Sequence, residues 1–317
     1  MKLSEFVQKK ILVTGGAGFL GKVVVRRLLK LGVPKKNIFV PRSRNYDLRD
    51  GRNIQRVFTT FKPNIVIHLA ANVGGIGYNK ENPGSIFYDN VAMGTQLIER
   101  ARLSKVEKII VTGTVCSYPK FTKVPFNESE IWNGYPEENN AFYGIAKKAI
   151  LVQLQAYKRQ YGLKGVYLLL TNLYGPGDNF ETESSHVIPA LIKKISHAVE
   201  NNLNGVTLLG TGNAIREFVY VEDATEAIIK ATLNYNKEEP VNVGSGEHIS
   251  IRNLAEIISR LLKFKGKINW DSSKPDGYLI RYLNIDKANK EFGFKAKTKL
   301  RSGLKKTVEW YLANKKK

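Results

Sequence analysis

Side chains suited to proton transfer occur in three short segments of the chain. Thr114 and Cys116 lie in the string TGTVCSY at residues 112–118, Tyr143 and Lys147 lie in YGIAK, and His186 follows a serine. A hydroxyl, a thiol, a phenol beside an ammonium, and an imidazole can hold the oxygen of a ketone and move protons on the adjacent carbons. With a hydride source, the same set would suit reduction of that ketone. These five residues are therefore the candidate catalytic set.

A glycine-rich string, GGAGFLG at residues 15–21, follows a short apolar run and opens a helical pattern. In a strand–loop–helix context this spacing is typical of a dinucleotide-binding loop. Its glycines let the backbone approach a pyrophosphate, and the helix N-terminus offers unpaired N–H groups to the phosphates. The sequence therefore predicts a bound dinucleotide, with contacts from Gly15, Gly18, Phe19, Leu20 and Gly21.

The end of the second predicted strand favours NADP over NAD. A carboxylate at this place would hold the 2′-hydroxyl of NAD, whereas the chain has Arg42 and Arg44 there. Guanidinium groups favour phosphate, so we predict NADPH and leave NAD open. His68, on an apolar strand, is more typical of a hydrogen-bonded core residue than of a catalyst. The further cofactor contacts predicted are Asp47, Leu48, Leu69, Ala70 and Ala71.

Tyr143 and Lys147 are four residues apart, so on a helix they share one face. A free phenol has a pKa of about 10, too high for efficient acid–base work at neutral pH. We expect the ammonium and a positive nicotinamide ring to lower the pKa of Tyr143. Tyr143 and Lys147 are also predicted to contact the cofactor, Lys147 at the nicotinamide ribose. Thr114 is predicted to place its hydroxyl on the same carbonyl oxygen as Tyr143.

The elements that must position these residues alternate in type along the N-terminal half. Strands are predicted at residues 10–14, 37–40, 65–69, 108–112 and 165–170, and helices at 22–31, 54–61, 88–103 and 142–161. Such alternation predicts an α/β fold in which helices cover both faces of a doubly wound parallel sheet.

The pattern breaks into glycine, proline and asparagine turns after Asn172. Helices are predicted at residues 187–200, 221–233, 251–262 and 299–313, and a strand at 206–209; residues 241–243 are predicted to return to the main sheet. We predict a nucleotide-binding domain of residues 1–172 plus about 221–245. A smaller α/β substrate-binding lobe would then comprise residues 173–220 and 246–317.

The composition is that of a globular protein: of 317 residues, 43% are hydrophobic and 25% charged. We find no secretory signal pattern and no apolar run near the roughly 18 residues of a membrane span. The single cysteine excludes an internal disulfide and suits a reducing cytoplasm. The net charge of +22 is spread along the chain without an aromatic and basic stripe, so we predict no nucleic-acid or membrane partner. No metal site is predicted.

Six strings resemble the extended short-chain dehydrogenase/reductase family, and within it the branch of the GDP-L-fucose synthases. They are NVGGIG at 72–77, CSYPK at 116–120, TNLYGP at 171–176, SHVIPAL at 185–191, REF at 216–218 and KPDG at 274–277. The likeness covers nearly the whole chain, and the first, second and fourth strings are fairly specific to this branch. Where the family usually has a basic residue beside the first glycine of the loop, this chain has Gly16.

The resemblance implies a role for each candidate. Thr114, Tyr143 and Lys147 match the reductase triad, with threonine replacing the usual serine, and Cys116 and His186 match the epimerisation pair. The implied activity is NADPH-dependent conversion of GDP-4-keto-6-deoxy-D-mannose to GDP-L-fucose, by a homodimer joined through the helices at 88–103 and 142–161. Predicted substrate contacts are Asn172, Val187, Arg216, Asp276 and Arg281.

The implied chemistry follows from the ketone. A C4 carbonyl acidifies the hydrogens on C3 and C5, and inversion needs reprotonation from the opposite face. We assign Cys116 as base and His186 as acid, with the direction left open. Three other functions stay open: a C4 reductase or epimerase-reductase of a related GDP-deoxy sugar or GDP-heptose, a sugar-nucleotide 4-epimerase, and a non-catalytic NADP- or nucleic-acid-binding protein.

Overall fold

The computed structural model describes residues 1–181, 184–274 and 276–315. The strands, in chain order, are β1 Ile11–Thr14, β2 Ile38–Phe39, β3 Ile65–His68, β4 Lys108–Thr114, β5 Gly165–Leu170, β6 Asn172–Tyr174, β7 Gly205–Leu209, β8 Ile215–Tyr220, β9 Val241–Val243, β10 His248–Ser250, β11 Lys267–Asp271 and β12 Ile280–Arg281. The α-helices are α1 Leu3–Phe6, α2 Phe19–Lys30, α3 Gly51–Phe61, α4 Ile76–Glu81, α5 Pro83–Leu103, α6 Ala141–Tyr161, α7 Val187–Glu200, α8 Val221–Asn234, α9 Ile251–Leu261, α10 Asp286–Phe292 and α11 Leu300–Asn314.

The main sheet has six parallel strands in the order β2-β1-β3-β4-β5-β9. Its central strands are buried along their whole length because helices cover both faces. The chain reverses direction across the sheet between β1 and β3, which is where open α/β sheets bind ligands. The predicted doubly wound parallel sheet is confirmed, as is the return of residues 241–243 to it.

Alternation along the strands sorts the core into two layers. Leu12, Val66 and Ile109 pack on one face against α3, α5 and α6. Ile11 and Ile65, one position earlier on their strands, pack on the other face against α2 and α8. Successive side chains of each strand therefore point alternately into the two core layers.

A second lobe is built around a small sheet in which β8 pairs with β6, β10 and β12, beside a two-stranded β7–β11 ribbon. Its core comes from α7, α9 and α11 together with aromatic residues of β6 and β8. Ala288 and Phe292 of α10 pack on the core of the main sheet instead. The division of the chain into two domains at the residues given above stays a prediction.

Several helices begin earlier than their apolar pattern predicts, because a capping residue starts them. Gly18, in extended conformation, is the N-cap of α2, so the helix starts inside the glycine string. Asp50 caps α3 by accepting from the backbone N–H of Arg52, and Pro83 occupies the first turn of α5. Among the described residues, no helix combines the length and the apolar character needed to cross a bilayer.

Candidate active site

A cleft of about 2100 Å³ opens at the carboxyl ends of the main strands and continues into the second lobe. With one exception, Lys147, every residue predicted for the site lines it. The loops after β1, β3, β4 and β5 supply the wall on the sheet side. The fold therefore brings together residues that lie in separate parts of the sequence.

The glycine string forms a cradle at one end of the cleft. Gly15 has φ +67°, and a Cβ placed there would lie 2.7 Å from the backbone nitrogen of Ala70. A side chain at Gly21 would overlap the carbonyl oxygen of Gly15, so α2 packs directly on the loop. The N-terminus of α2, from Gly18 to Gly21, faces the cleft. Close backbone approach and free N–H groups fit a pyrophosphate at this place.

The outer part of this end is positively charged. Arg42 and Arg44 are exposed, and within the described residues their side chains make no hydrogen bond or ion pair. The carboxylate of Asp47 is held by Arg49, whose Nη2 donates to Oδ2 at 2.6 Å and whose Nε donates to Oδ1 at 3.0 Å. These hydrogen bonds lower the pKa of Asp47. Asp47 is thereby neutralised by Arg49, while the two preceding arginines stay available to an anion.

Gly16 faces away from this end, and a Cβ there would stand 2.7 Å from a methyl group of Val40. The position where the family usually has a basic residue is therefore packed by an aliphatic side chain of the neighbouring strand end. A basic side chain at 16 would need Val40 to move.

The end of β4 carries the hydroxyl and the thiol. Thr114 is the last residue of the strand, and its Oγ1 accepts from the backbone N–H of Cys116 at 3.1 Å. That bond caps a 3₁₀ turn, Val115–Ser117, which turns Cys116 toward the cleft. Ser117 donates to the carbonyl of Gly144 at 3.1 Å, so the turn is tied to α6 one residue after Tyr143.

Tyr143 lies in the first turn of α6, and its phenol is almost fully buried. In the chain by itself, burial, reinforced by electrostatic interaction with Cys116, raises the pKa of Tyr143, so Lys147 alone does not produce the expected lowering. Loss of hydration of the phenolate therefore outweighs the charge of Lys147. The phenol keeps its proton at neutral pH and is a hydrogen-bond donor to the cleft.

Lys147 lies one turn beneath Tyr143 and is only 1% exposed. Burial lowers the pKa of its ammonium to about 8. Behind it, burial together with the charge of Lys147 lowers the pKa of His68 to about 3, and the neutral ring bonds Thr14 Oγ1 through Nδ1 at 2.7 Å. His68 is thus a hydrogen-bonded core residue, as the sequence indicates.

His186 enters the cleft from the second lobe. It occupies the N-cap of α7, but its side chain makes no capping hydrogen bond and is directed into the cleft. The imidazole is exposed to the cleft but has protein atoms on most sides. The resulting loss of hydration lowers the pKa of His186. The backbone N–H of Gly75 donates to the carbonyl of Ser184 at 3.1 Å, which joins this segment to the loop after β3.

Two guanidinium groups line the part of the cleft that the second lobe forms. Arg281 on β12 pairs in register with Arg216 on β8, so the two residues are neighbours across parallel strands. Burial, with a further contribution from the charge of Arg281, lowers the pKa of Arg216 to about 10. A dianion such as a diphosphate would relieve this repulsion, and bidentate arginine contacts suit it.

The residues around this pair are fixed by hydrogen bonds. Asp276 accepts from the backbone N–H of Thr211 at 2.7 Å, and Arg216 Nη2 donates to the carbonyl of Asp276 at 3.3 Å. Asn172 donates through Nδ2 to the carbonyl of Glu217 at 2.9 Å. The carboxylate of Glu217 is fully buried and accepts from the N–H groups of Gly246 and Leu283. Arg216 and Glu217 are therefore not a surface ion pair.

Some cleft residues carry no recognisable signal in the sequence. Asp178 follows a glycine–proline–glycine turn and is 9% exposed; within the described residues its Oδ2 has no hydrogen-bond partner. Burial raises the pKa of Asp178 to about 7. Glu137, Lys194, His197 and Tyr278 also line the cleft, and only the tertiary arrangement reveals them.

The fold and the cleft together define a Rossmann-type protein with a dinucleotide cradle and an acid–base cluster. The chain belongs to the NAD dependent epimerase/dehydratase family, which matches residues 11–244. It is 37% identical over 306 residues to the probable GDP-L-fucose synthase 1 of Oryza sativa subsp. japonica, covering 96% of this chain and 92% of that protein. The predicted resemblance to this branch is confirmed.

The chain is also similar to solved structures of enzymes whose names include GDP-linked sugars. A GDP-6-OMe-4-keto-L-xylo-heptose reductase from C. jejuni superposes with a TM-score of 0.90 at 26% identity, covering 97% of this chain and 98% of that one. A GDP-L-fucose synthetase from Naegleria fowleri bound to NADP gives a TM-score of 0.86 at 29% identity, with 96% and 94% coverage. The chain is thus similar over nearly its full length to enzymes that act on GDP-linked sugars.

Proposed function

We propose that this chain is an NADPH-dependent epimerase/reductase that converts GDP-4-keto-6-deoxy-D-mannose to GDP-L-fucose. The observation that carries the proposal is the convergence of Cys116, Tyr143 and His186 on one cleft. The glycine cradle also lines that cleft, and the pair Arg216 and Arg281 lines the part formed by the second lobe. The likeness of the whole chain to GDP-L-fucose synthases supports the choice of sugar and nucleotide.

NADP(H) is the proposed cofactor. When bound, it supplies a hydride to a carbonyl carbon. The residues that would hold it are those of the cradle, with Leu69, Ala70 and Ala71 beside it and Arg42 and Arg44 at the 2′-phosphate. The neutralisation of Asp47 by Arg49 removes a carboxylate that would repel that phosphate. Lys147 is proposed to hold the nicotinamide ribose, although in this structure it is buried behind Tyr143 and does not line the cleft.

Epimerisation needs a base and an acid on opposite faces of the sugar. We assign Cys116, at the end of β4, as the base, and His186, from the second lobe, as the acid. Removal of the C3 or C5 hydrogen as a proton leaves its electron pair in an enolate, whose charge rests on the C4 oxygen. Thr114 and the protonated Tyr143 donate hydrogen bonds to that oxygen.

Reduction uses the same grip on the C4 oxygen. As hydride reaches C4, the oxygen gains charge and takes the proton of Tyr143. The buried ammonium of Lys147 then compensates the phenolate that is left, since a cation one helical turn away stabilises it. Arg216 holds the diphosphate of the nucleotide, and Asn172, Val187 and Asp276 complete the substrate contacts.

Deuterium exchange tests the two half-reactions separately. The protein is incubated with GDP-4-keto-6-deoxymannose in deuterated water, with and without NADPH, and the sugar is examined by NMR and mass spectrometry. We expect deuterium at C3 and C5 without NADPH, and loss of this incorporation in Cys116→Ser. An absence of both exchange and NADPH oxidation would refute the proposal.

A second candidate is a C4 reductase of a related GDP-deoxy sugar or GDP-heptose. The structural likeness to a GDP-heptose reductase favours it. NADPH oxidation without deuterium uptake would identify this function. A sugar-nucleotide 4-epimerase would instead interconvert sugars without net consumption of NADPH.

We further propose a cytoplasmic homodimer. Large apolar side chains stay exposed along α5 and α6, namely Phe87, Tyr88, Leu103, Phe142, Val152 and Tyr161. Joining two copies through these helices would cover them. A cytoplasmic location would keep Cys116, the chain's single cysteine, reduced. Sedimentation velocity at several concentrations tests the dimer, and a monomer at all of them would contradict it.

A further inference from the structure

Arg281 contacts the thiol directly. Its Nη1 lies 3.5 Å from Sγ of Cys116, and its guanidinium stacks over the ring of Tyr278 at 5.1 Å from the ring centre. The side chain is 8% exposed. A contact with a nucleotide ribose or phosphate, the role that the resemblance implies for Arg281, does not account for this placement.

The arginine is held in place by the strands that carry it. Arg281 is fixed in register with Arg216 on β8. Two residues further on, the backbone N–H of Leu283 donates to Oε2 of the buried Glu217 at 2.9 Å. These contacts fix the backbone that carries Arg281, while the ring of Tyr278 and the sulfur of Cys116 are the contacts of its guanidinium.

Among the described charged groups of this part of the cleft, the guanidinium of Arg281 is the one in direct contact with the thiol. Arg216, on β8, carries a second positive charge and interacts electrostatically with Arg281 and with Cys116. Tyr143, on α6, faces the thiol as a neutral phenol. The carboxylates that act on Arg216 are Asp276, which Thr211 holds, and Glu137 on the cleft wall. A cation in direct contact with the sulfur favours the thiolate form of cysteine.

We propose that Arg281 keeps Cys116 as a thiolate and thereby makes it the base of the epimerisation. The S–H bond breaks, its proton passes to solvent, and the guanidinium balances the charge left on sulfur. When the thiolate takes a proton from C3 or C5, the S–H bond forms again and the electron pair of the C–H bond passes into the enolate. This inference deepens the proposed function and rests on it for the identity of the substrate. Arg281 acts through Cys116, and its planar fork leaves other N–H groups free for the nucleotide.

The single cysteine allows a direct test without sugar or cofactor. Alkylation by iodoacetamide, followed by intact-mass spectrometry, reports Cys116 alone. The measured quantity is the ratio of the alkylation rate at pH 7 to that at pH 10, compared among wild type, Arg281→Gln, Arg281→Lys and Cys116→Ser. We expect Arg281→Gln to lower the ratio by about tenfold, the effect of one opposite charge near a titrating group. Arg281→Lys should fall between Arg281→Gln and wild type.

Arg252→Gln is the matched control. Arg252 also stacks on an aromatic ring of the second lobe, at 5.0 Å from the centre of Trp270, and does not line the cleft. Its ratio should equal that of wild type. An unchanged ratio in a folded Arg281→Gln protein overturns the inference. If that variant does not fold, wild type alone decides, because a ratio no higher than that of a cysteine-containing peptide also overturns it. A high ratio of alkylation rates in a protein that exchanges no deuterium would instead refute the proposed function. The inference that Arg281 stabilises the thiolate of Cys116 would then still hold.

Discussion

The backbone of Cys116 lies against the helix at Gly144, so closely that a side chain at 144 would overlap the carbonyl oxygen of Cys116. This glycine stands one residue after Tyr143, at the start of α6. The thiol and the phenol are therefore set side by side by a contact that only a residue without Cβ allows. The two proposed half-reactions depend on the same contact.

Gly144→Ala should impair both half-reactions. Alanine favours helix by about 1 kcal/mol, but the clash with the 115–117 turn should reverse the sign and destabilise the protein by about 1–3 kcal/mol. Deuterium exchange should fall by roughly 100-fold, since displacements near 1 Å have effects of that size. Urea unfolding measures the loss of stability, and the deuterium-exchange assay measures the loss of epimerisation. Gly84→Ala is the control, because Gly84 lies on α5 with nothing within 4 Å of an added Cβ; equal behaviour of the two variants would contradict the prediction.

Tyr143→Phe should separate cofactor binding from chemistry. Removal of the phenolic proton should slow C4 reduction by about 10²–10⁴-fold, the usual contribution of a positioned acid. NADPH binding, followed by its fluorescence, should change little. Tyr161→Phe, at the exposed end of the same helix, should reduce at the wild-type rate. Wild-type turnover by Tyr143→Phe would exclude the phenol as the proton donor.

Arg42→Ala and Arg44→Ala should alter the choice of cofactor. Each removes a guanidinium proposed to meet the 2′-phosphate, and a hydrogen bond to a charged group contributes about 1.5–3 kcal/mol. NADPH should bind roughly 10–100-fold more weakly, while NADH binding changes little. Isothermal titration with both cofactors measures this. Arg52→Ala provides the control, since Arg52 is exposed, pairs with Asp50 and does not line the cleft; equal losses for NADPH and NADH in the Arg42 and Arg44 variants would argue against a 2′-phosphate site.

The sequence predicted the parts of this fold that depend on local pattern. The strands of the main sheet are apolar runs of four to seven residues bounded by glycine and polar turns, with β2 and β9 shorter still, and a run buried on both faces is readable without tertiary information. The same holds for the catalytic candidates at the end of β4 and the start of α6. Parallel strands end at one edge of the sheet, so residues that follow them must meet there.

What the sequence could not predict depends on long-range pairing and burial. β8 and β12 bring Arg216 and Arg281 together from distant parts of the chain, and no periodicity marks either short strand. The contact of Arg281 with Cys116 follows from that pairing. Likewise, the spacing of Tyr143 and Lys147 predicts that they share one face of a helix, but it does not predict how deeply that face is buried. Burial is what raises the pKa of the Tyr143 phenol.

Asp178 should make stability depend on pH, in a direction opposite to that of a salt-bridged carboxylate. Burial raises its pKa from 3.8 to about 7, so between these values the folded protein binds a proton that the unfolded chain releases. Its contribution to stability is complete below pH 3.8 and is lost as pH rises through about 7. Asp178→Asn removes the titration, so its stability relative to wild type should improve between pH 5 and pH 8 by up to about 2.7 kcal/mol, since each pH unit between pH 5 and the folded pKa of about 7 contributes about 1.4 kcal/mol. Urea unfolding at these two pH values measures the difference, with the exposed Asp286→Asn as the control. If Asp178→Asn kept the pH dependence of wild type, the carboxylate would have to be satisfied in the folded protein by a partner that lowers its pKa.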